Sequence, residues 1–134
     1  GAHFATFPEK LPAICIKAST SEKGYCPTCG MPWTRMVENE PMMIRRTDRG
    51  ERAGNRSATS GTMLKPAQSR TFGWLPTCEH KDLPIPGVVL DCFSGSGTVG
   101  AVAKSLGRRA VLIELSEDYC NLSRARIEKV NLPL

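Results

Sequence analysis

Val88-Val89-Leu90-Asp91-Cys92-Phe93-Ser94-Gly95-Ser96-Gly97-Thr98-Val99-Gly100, with Val111-Leu112-Ile113-Glu114 shortly after it, carries more structural information than any other part of this chain. An apolar run ends in a carboxylate, breaks into a glycine-rich turn and reopens as a stretch of small residues. A second apolar run then ends in another carboxylate. The pattern predicts a β-turn-α-β unit, with strands over 88–90 and 110–114 and a helix from about Thr98 to Leu106, stopped by Gly107. Glycines let the backbone come close to a ligand, and a helix start offers unpaired N–H groups. Such a unit suits a nucleoside-bearing cofactor. Glu114, at the tip of the second strand, is placed to accept hydrogen bonds from both hydroxyls of a ribose.

On the C-terminal side, Ser116 is expected to cap a last helix running to about Lys129. Glu117 and Asp118 fall in its first turn, and Tyr119, Leu122, Ala125 and Ile127 form its apolar face. On the N-terminal side, residues 3–8 read as extended. Pro8 opens a helix over Glu9–Ala18 with Leu11, Ile14, Cys15 and Ala18 on the core side. From Thr20 to His80 the character changes. Cys26-Pro27-Thr28-Cys29-Gly30 is a tight knuckle, and Trp33–Val37 and Thr71–Trp74 are short strand candidates. Arg45–Arg70, rich in Arg, Ser, Thr and Gly without a hydrophobic period, reads as a long solvated loop. Lys81–Pro86 is a linker. The expected fold class is α/β, a partial Rossmann-like sheet interrupted by a loop-rich insert. Its regions are 1–19 (a segment packing on the cofactor site), 20–86 (the insert) and 87–134 (the cofactor-binding βαβ unit and final helix).

Composition agrees with a small nucleus plus loops: of 134 residues 40% are hydrophobic and only 6% aromatic, with 10 prolines and 12 glycines. The formal net charge of +5 suits a polyanionic partner such as DNA, and equally an ordinary basic protein. No apolar run approaches the roughly 20 residues of a membrane span, so no membrane partner is expected. Gly1-Ala2-His3-Phe4 has neither the basic flank nor the apolar centre of a secretory signal. A reducing cytoplasm, with metal-bound and free thiols, is the expected setting for the six cysteines.

Two cofactors compete for the glycine turn. Gly95-Ser96-Gly97-Thr98-Val99-Gly100 satisfies G-x-G-x-x-G, and Glu114 lies about where a nicotinamide-binding fold has its ribose acid, so an NAD-binding oxidoreductase fragment is one reading. Against it, Asp91-Cys92-Phe93-Ser94 separate the strand from the glycines. Asp91 also brings a negative charge that repels a pyrophosphate and suits the sulfonium and ammonium groups of S-adenosylmethionine.

With those residues in view, the chain resembles the DNA amino-methyltransferases (adenine-N6 or cytosine-N4) of phage and bacterial restriction-modification type, in which the catalytic region precedes the cofactor region. His3-Phe4-Ala5-Thr6-Phe7-Pro8 is similar to the family's segment upstream of the glycine turn. Asp91–Thr98 is similar to its glycine motif, and Ile113-Glu114 through Tyr119 to its ribose-binding acid and following helix. The resemblance implies an S-adenosylmethionine site formed by Asp91, Phe93, Ser94, Gly95, Gly97, Thr98 and Glu114, with Ala5, Thr6, Phe7 and Pro8 as its other wall. His3 is either a cofactor contact or merely exposed. Cys92 stands where the family often has proline. The family's catalytic motif is Asp, Asn or Ser followed by Pro-Pro and an aromatic residue, and this sequence contains no Pro-Pro. In the permuted order that motif lies N-terminal to His3. The resemblance therefore implies the C-terminal portion of a methyltransferase, with no catalytic residues of its own. A missing N-terminal half or a second chain would supply the motif, and DNA would not be methylated by this chain alone.

Cys26-x-x-Cys29 is half of a zinc site, and Cys78-Glu79-His80 supplies a thiolate and an imidazole as the other half. The expectation is a zinc-stapled insert ligated by Cys26, Cys29, Cys78 and His80, since a loop-dominated segment with little core gains closure energy from a metal. The family resemblance supports the pairing. Free buried thiols and a redox pair are the other readings. Cys15, Cys92 and Cys120 are expected to be core thiols. Arg45, Arg46, Arg49, Arg52 and Arg56 suit DNA phosphates, or simply solvent. A zinc-containing nucleic-acid-binding module with a vestigial cofactor pocket is therefore a further functional reading.

Overall fold

In the computed structural model, which describes residues 7–46 and 61–133, the chain divides into two compact units: residues 1–34 with 75–134, and residues 35–74. Helices α1 (Lys10–Ser19), α2 (Thr98–Ser105) and α3 (Glu117–Glu128) accompany strands β1 (Trp33–Glu40), β2 (Met43–Arg46), β3 (Gly61–Lys65), β4 (Gln68–Pro76), β5 (Val88–Asp91) and β6 (Arg109–Leu112). The structure is mixed α/β.

In the larger unit β5 and β6 run parallel in register, Val88 opposite Arg109 through Asp91 opposite Leu112, joined by α2. Helix α2 ends where its sequence demands. Gly107 donates to the Lys104 carbonyl (2.9 Å) and Arg108 to that of Ala103 (2.8 Å), the paired closure of a Schellman turn. The Val102-Ala103 face of α2 and Ile16 of α1 form the core, with Ala13, Val89, Val99 and Leu106 packed around them. At Gly100 three elements meet. A Cβ there would lie 2.6 Å from Leu112 Cδ1 of β6 and 2.7 Å from Ile127 Cδ1 of α3. Lys104 Nζ donates to the Ile127 carbonyl (2.8 Å), placing a cation at the negative end of α3. The sheet is clothed unevenly. Val88, Leu90, Val111 and Ile113 are each more than half exposed, although parallel strands are ordinarily covered on both faces.

Two helices present faces other than those the apolar spacing predicts. Helix α1 buries Pro12 and Ile16, while Leu11, Ile14, Cys15 and Ala18 are exposed. The line from Pro12 to Ile16 is one helical turn, and it is this line that meets α2. On α3 the buried residue is Ser123, with Tyr119, Cys120, Arg126 and Ile127 half-buried beside it. Leu122 and Ala125 are exposed. A small residue is required at 123 because the Gly97 backbone packs against it, so the contact line is polar and the apolar period misleads. Ser116 holds the N-cap position of α3 but its side chain makes no capping bond.

The smaller unit corrects the two ends of the expected loop over Arg45–Arg70, whose middle, residues 47–60, lies outside the described residues. Strands β2 and β3 pair antiparallel, Ile44 with Met63, Arg45 with Thr62 and Arg46 with Gly61, with a register irregularity between Met43 and Ile44. Strand β1 pairs with β4, and both are longer than expected. Ser69 Oγ donates to Asn39 Oδ1 (2.7 Å), and Lys65 pairs with Glu40. Along β1 and β4 no residue is fully buried, so their backbone pairing leaves no hydrophobic period to read. Arg49, Arg52 and Arg56 lie outside the described residues.

The corrected face of α1 gives a direct test. Ile16→Ala is expected to lower unfolding stability in urea by about 2–4 kcal/mol. Ile14→Ala, at an exposed position of the same helix, should change it by less than about 0.5 kcal/mol.

Candidate functional site

The two strand tips carry the carboxylates. Asp91, last residue of β5, accepts the Phe93 N–H at Oδ1 (3.0 Å), an Asx turn that starts the glycine-rich crossing. The Ser94 N–H donates to the Ile113 carbonyl (3.1 Å), and Ile113 N–H to the Asp91 carbonyl (2.9 Å), so the turn continues the β5–β6 ladder. Gly97 then takes φ +77° as N-cap of α2, and a Cβ there would lie 2.6 Å from Ser123 Cβ. Gly95 also has positive φ (+48°), but a Cβ on it would meet nothing within 4 Å. One glycine is packed against α3 and the other faces open space.

Glu114 is the most heavily bonded side chain of the site. Its Oε2 accepts the Gly95 N–H (2.8 Å), and its Oε1 accepts those of Leu115 and Ser116 (both 3.0 Å). The Ser116 and Gly95 N–H groups, with Leu115, hold its carboxyl below the usual carboxylate range, against the upward push of burial. The acid thus ties the two loop crossings together, a role that the strand-tip reading did not foresee. The remaining acceptor site is on Oε2, since Oε1 already takes two donors. Among the described residues Ser94 Oγ is buried without a hydrogen-bond partner. An orphaned hydroxyl beside an open glycine fits a ligand bearing polar atoms at this turn.

Of the other residues expected here, Thr98 is buried and Phe93 is 92% exposed. Phe7 lines an apolar hollow of about 290 Å³ with Leu11, Cys15, Val89 and Val99, and Pro8 precedes α1. Ala5, Thr6 and His3 lie outside the described residues.

The knuckle is assembled separately. Gly30 N–H donates to the Cys26 carbonyl, and Cys26 N–H to that of Met31 (both 2.9 Å). Tyr25 and Ile85 exchange two backbone bonds (2.8 and 2.9 Å), which brings the chain after His80 back beside Cys26. The ligand atoms of Cys26, Cys29, Cys78 and His80 consequently all lie within 4.8 Å of one another. Two thiolates about 2.3 Å from a common tetrahedral ion sit roughly 3.8 Å apart, so the quartet fits zinc after a small contraction. Burial pushes the Cys26 thiol up, but the Cys29 and Thr28 N–H groups and the neighbouring thiols Cys29 and Cys78 outweigh it and leave it below its ordinary value. Cys78 is pushed up to about 11 by burial and by the Cys26 and Cys29 sulfurs, against the His80 N–H. A crowded set of thiols in which one resists ionisation is what a cation at the centre would relieve. Asp82, which the sequence did not single out, accepts from Thr28 Oγ1 (2.7 Å) beside Cys26. Contrary to expectation, Cys15 and Cys92 are exposed, and Cys120 is half-buried.

Residues 83–125, about the last third of the chain, match the family model described as DNA methylase, the N6/N4 methyltransferases. That segment is similar to the DNA amino-methyltransferases. It is 49% identical over 43 residues to the type II methyltransferase M2.DpnII of Streptococcus pneumoniae, covering 32% of this chain and 16% of that one. It is 54% identical over 41 residues to M.SmaI of Serratia marcescens, covering 31% and 14%. It is 47% identical over 45 residues to M.ScaI of Streptomyces caespitosus, covering 34% and 15%. The matched stretch is thus about a seventh of each relative's length. No solved structure matches. The family segment contains Asp91, the glycine turn and Glu114. The knuckle cysteines, Phe7 and Pro8 fall outside it.

Because the folded-state pKa of Glu114 is lowered, its stabilising contribution is present at neutral pH and lost as pH falls through that lowered value. Between about pH 7 and about pH 3, Glu114→Gln should show a smaller fall in the denaturant midpoint than the parent. It should also start from a lower midpoint at neutral pH. Identical pH profiles would contradict the bonding described here.

Proposed function

We propose that this chain is the S-adenosylmethionine-binding part of a DNA methyltransferase acting on the exocyclic amino group of adenine or cytosine. The observation that carries the reading is the glycine turn slung between two strand-tip carboxylates, within the segment that matches the DNA methylase family. Asp91 would face the cationic sulfonium and amino-acid end of the cofactor, and Glu114 the ribose hydroxyls. Ser94, Gly95, Gly97 and Thr98 would line its path, with Phe93 over it and Ala5–Pro8 as the second wall. The β5-α2-β6 unit would be one crossover of a larger Rossmann-like sheet. Its bare face at Val88, Leu90, Val111 and Ile113 supports a further polypeptide completing that sheet.

That further polypeptide, an N-terminal half or a second chain, would also bring the Pro-Pro-aromatic motif missing from this sequence. In such a motif the polar residue and backbone accept hydrogen bonds from the target amino group, and the aromatic side chain stacks on the flipped base. DNA is the substrate of this reading, and the protein would act in the cytoplasm of a bacterial or phage-infected cell. Among the described residues no helix is long and apolar enough to cross a membrane. Zinc held by Cys26, Cys29, Cys78 and His80 would close the base of the insert.

Calorimetry with S-adenosylmethionine and NAD in parallel tests the cofactor. Binding of the first and not the second is expected. Asp91→Asn keeps an acceptor for the Phe93 N–H while removing the charge, and should weaken S-adenosylmethionine binding about tenfold; unchanged affinity would overturn the assignment. Metal analysis of protein purified without chelator should give about one zinc per chain and much less in Cys26→Ser.

A further inference from the structure

Arg126 is the residue of α3 that neither the sequence motifs nor the family segment brings to notice, since the match ends at residue 125. Its guanidinium reaches two separated parts of the chain. Nη1 donates to Thr98 Oγ1 (3.0 Å) and, at the edge of bonding distance, to Ser96 Oγ (3.4 Å). Nη2 donates to Glu9 Oε1 (2.8 Å) in an ion pair. Ser96 and Thr98 flank Gly97, the left-handed residue at the start of α2. Ser123, one turn before Arg126, is the wall against which Gly97 packs. Helix α3 therefore grips the turn twice, by contact at Gly97 and by the planar fork on either side of it. Glu9 is the N-cap residue of α1, and its side chain makes no capping bond. It lies directly after Phe7-Pro8.

We infer that Arg126 is a positioning residue. It fixes the glycine turn in its ligand-accepting shape and, through Glu9, fastens the Phe7-Pro8 segment to that turn. An exposed ion pair alone is worth little. Here the partner hydroxyl of Thr98 is buried, its residue only 5% exposed, and the fork geometry is one that lysine does not reproduce. The effect on cofactor uptake rests on the reading given under Proposed function. The effect on the turn itself does not.

The test uses the full chain with Arg126→Lys, Arg126→Met and Glu9→Gln. Amide hydrogen exchange at Ser96, Gly97 and Thr98 should quicken about tenfold or more in both Arg126 variants, while exchange at the β5 amides stays as in the parent. S-adenosylmethionine affinity should fall about tenfold in Arg126→Lys and by less in Glu9→Gln. Unchanged exchange at the turn overturns the inference whatever the calorimetry gives. So does a parent-like affinity in Arg126→Lys. A parent chain that takes up no cofactor, with exchange quickened as expected, sinks the cofactor reading and leaves the positioning role supported. Uniformly quickened exchange across β5 and the turn marks general destabilisation and overturns the inference.

Discussion

The carboxylate of Glu114 holds the two loop crossings of the βαβ unit to one another. A parallel pair of strands has no hairpin to fix its ends, and the crossings above β5 and β6 would otherwise be tied only through the ladder below them. Three N–H groups from two loops converge on one charged side chain, and hydrogen bonds to an ionised acceptor are the stronger kind. The bonds that Ser94 and Ile113 add extend the ladder by one step. The glycine turn and the approach to α3 share this tie, alongside the Asx turn at Asp91.

The same tie shapes what the site can recognise. A carboxylate already committed to backbone donors is oriented before a ligand arrives, so little ordering is left to occur on binding. A hydrogen-bond donor approaching Glu114 meets an acid whose charge is secured and whose direction is set. Asp91 is fixed in a similar way by its bond to Phe93. The two acids stand at the tips of adjacent strands, and the glycine crossing between them leaves room at Gly95 and none at Gly97.

How much of this was readable in advance depended on what each segment packs against. The βαβ unit was legible because its strands are short apolar runs and its helix is bounded by Thr98 and Gly107, local signals that tertiary structure does not override. The four residues of the knuckle were legible as a set because metal-binding side chains at close spacing are scarce in a sequence of this size. Apolar spacing misled on the outer helices: on α3 Tyr119 and Ile127 are half-buried but Leu122 and Ala125 are exposed, and on α1 the expected positions are exposed. Helix α1 buries the Pro12–Ile16 line, with Ile16 in the core beside Val102 and Ala103 of α2, and α3 buries Ser123 because a glycine lies opposite. The extent of β1 and β4 was half-hidden for a different reason: both strands are largely polar and exposed, so burial does not alternate along them. Arg126 gave no signal at all, since its partners are 28 and 117 residues away in the chain.

The exchange of backbone bonds between Tyr25 and Ile85 has a consequence for how such a chain changes over generations. The polypeptide leaves the larger unit after Thr34 and re-enters it at Leu75, and the Tyr25–Ile85 clasp joins the two limbs within that unit. Whatever lies between those points can grow or shrink while the clasp stays put, and each doubling of its length adds only about 0.6 kcal/mol of closure entropy. An architecture clasped this way makes the excursion a replaceable accessory, open to exchange among descendants that keep the βαβ portion intact.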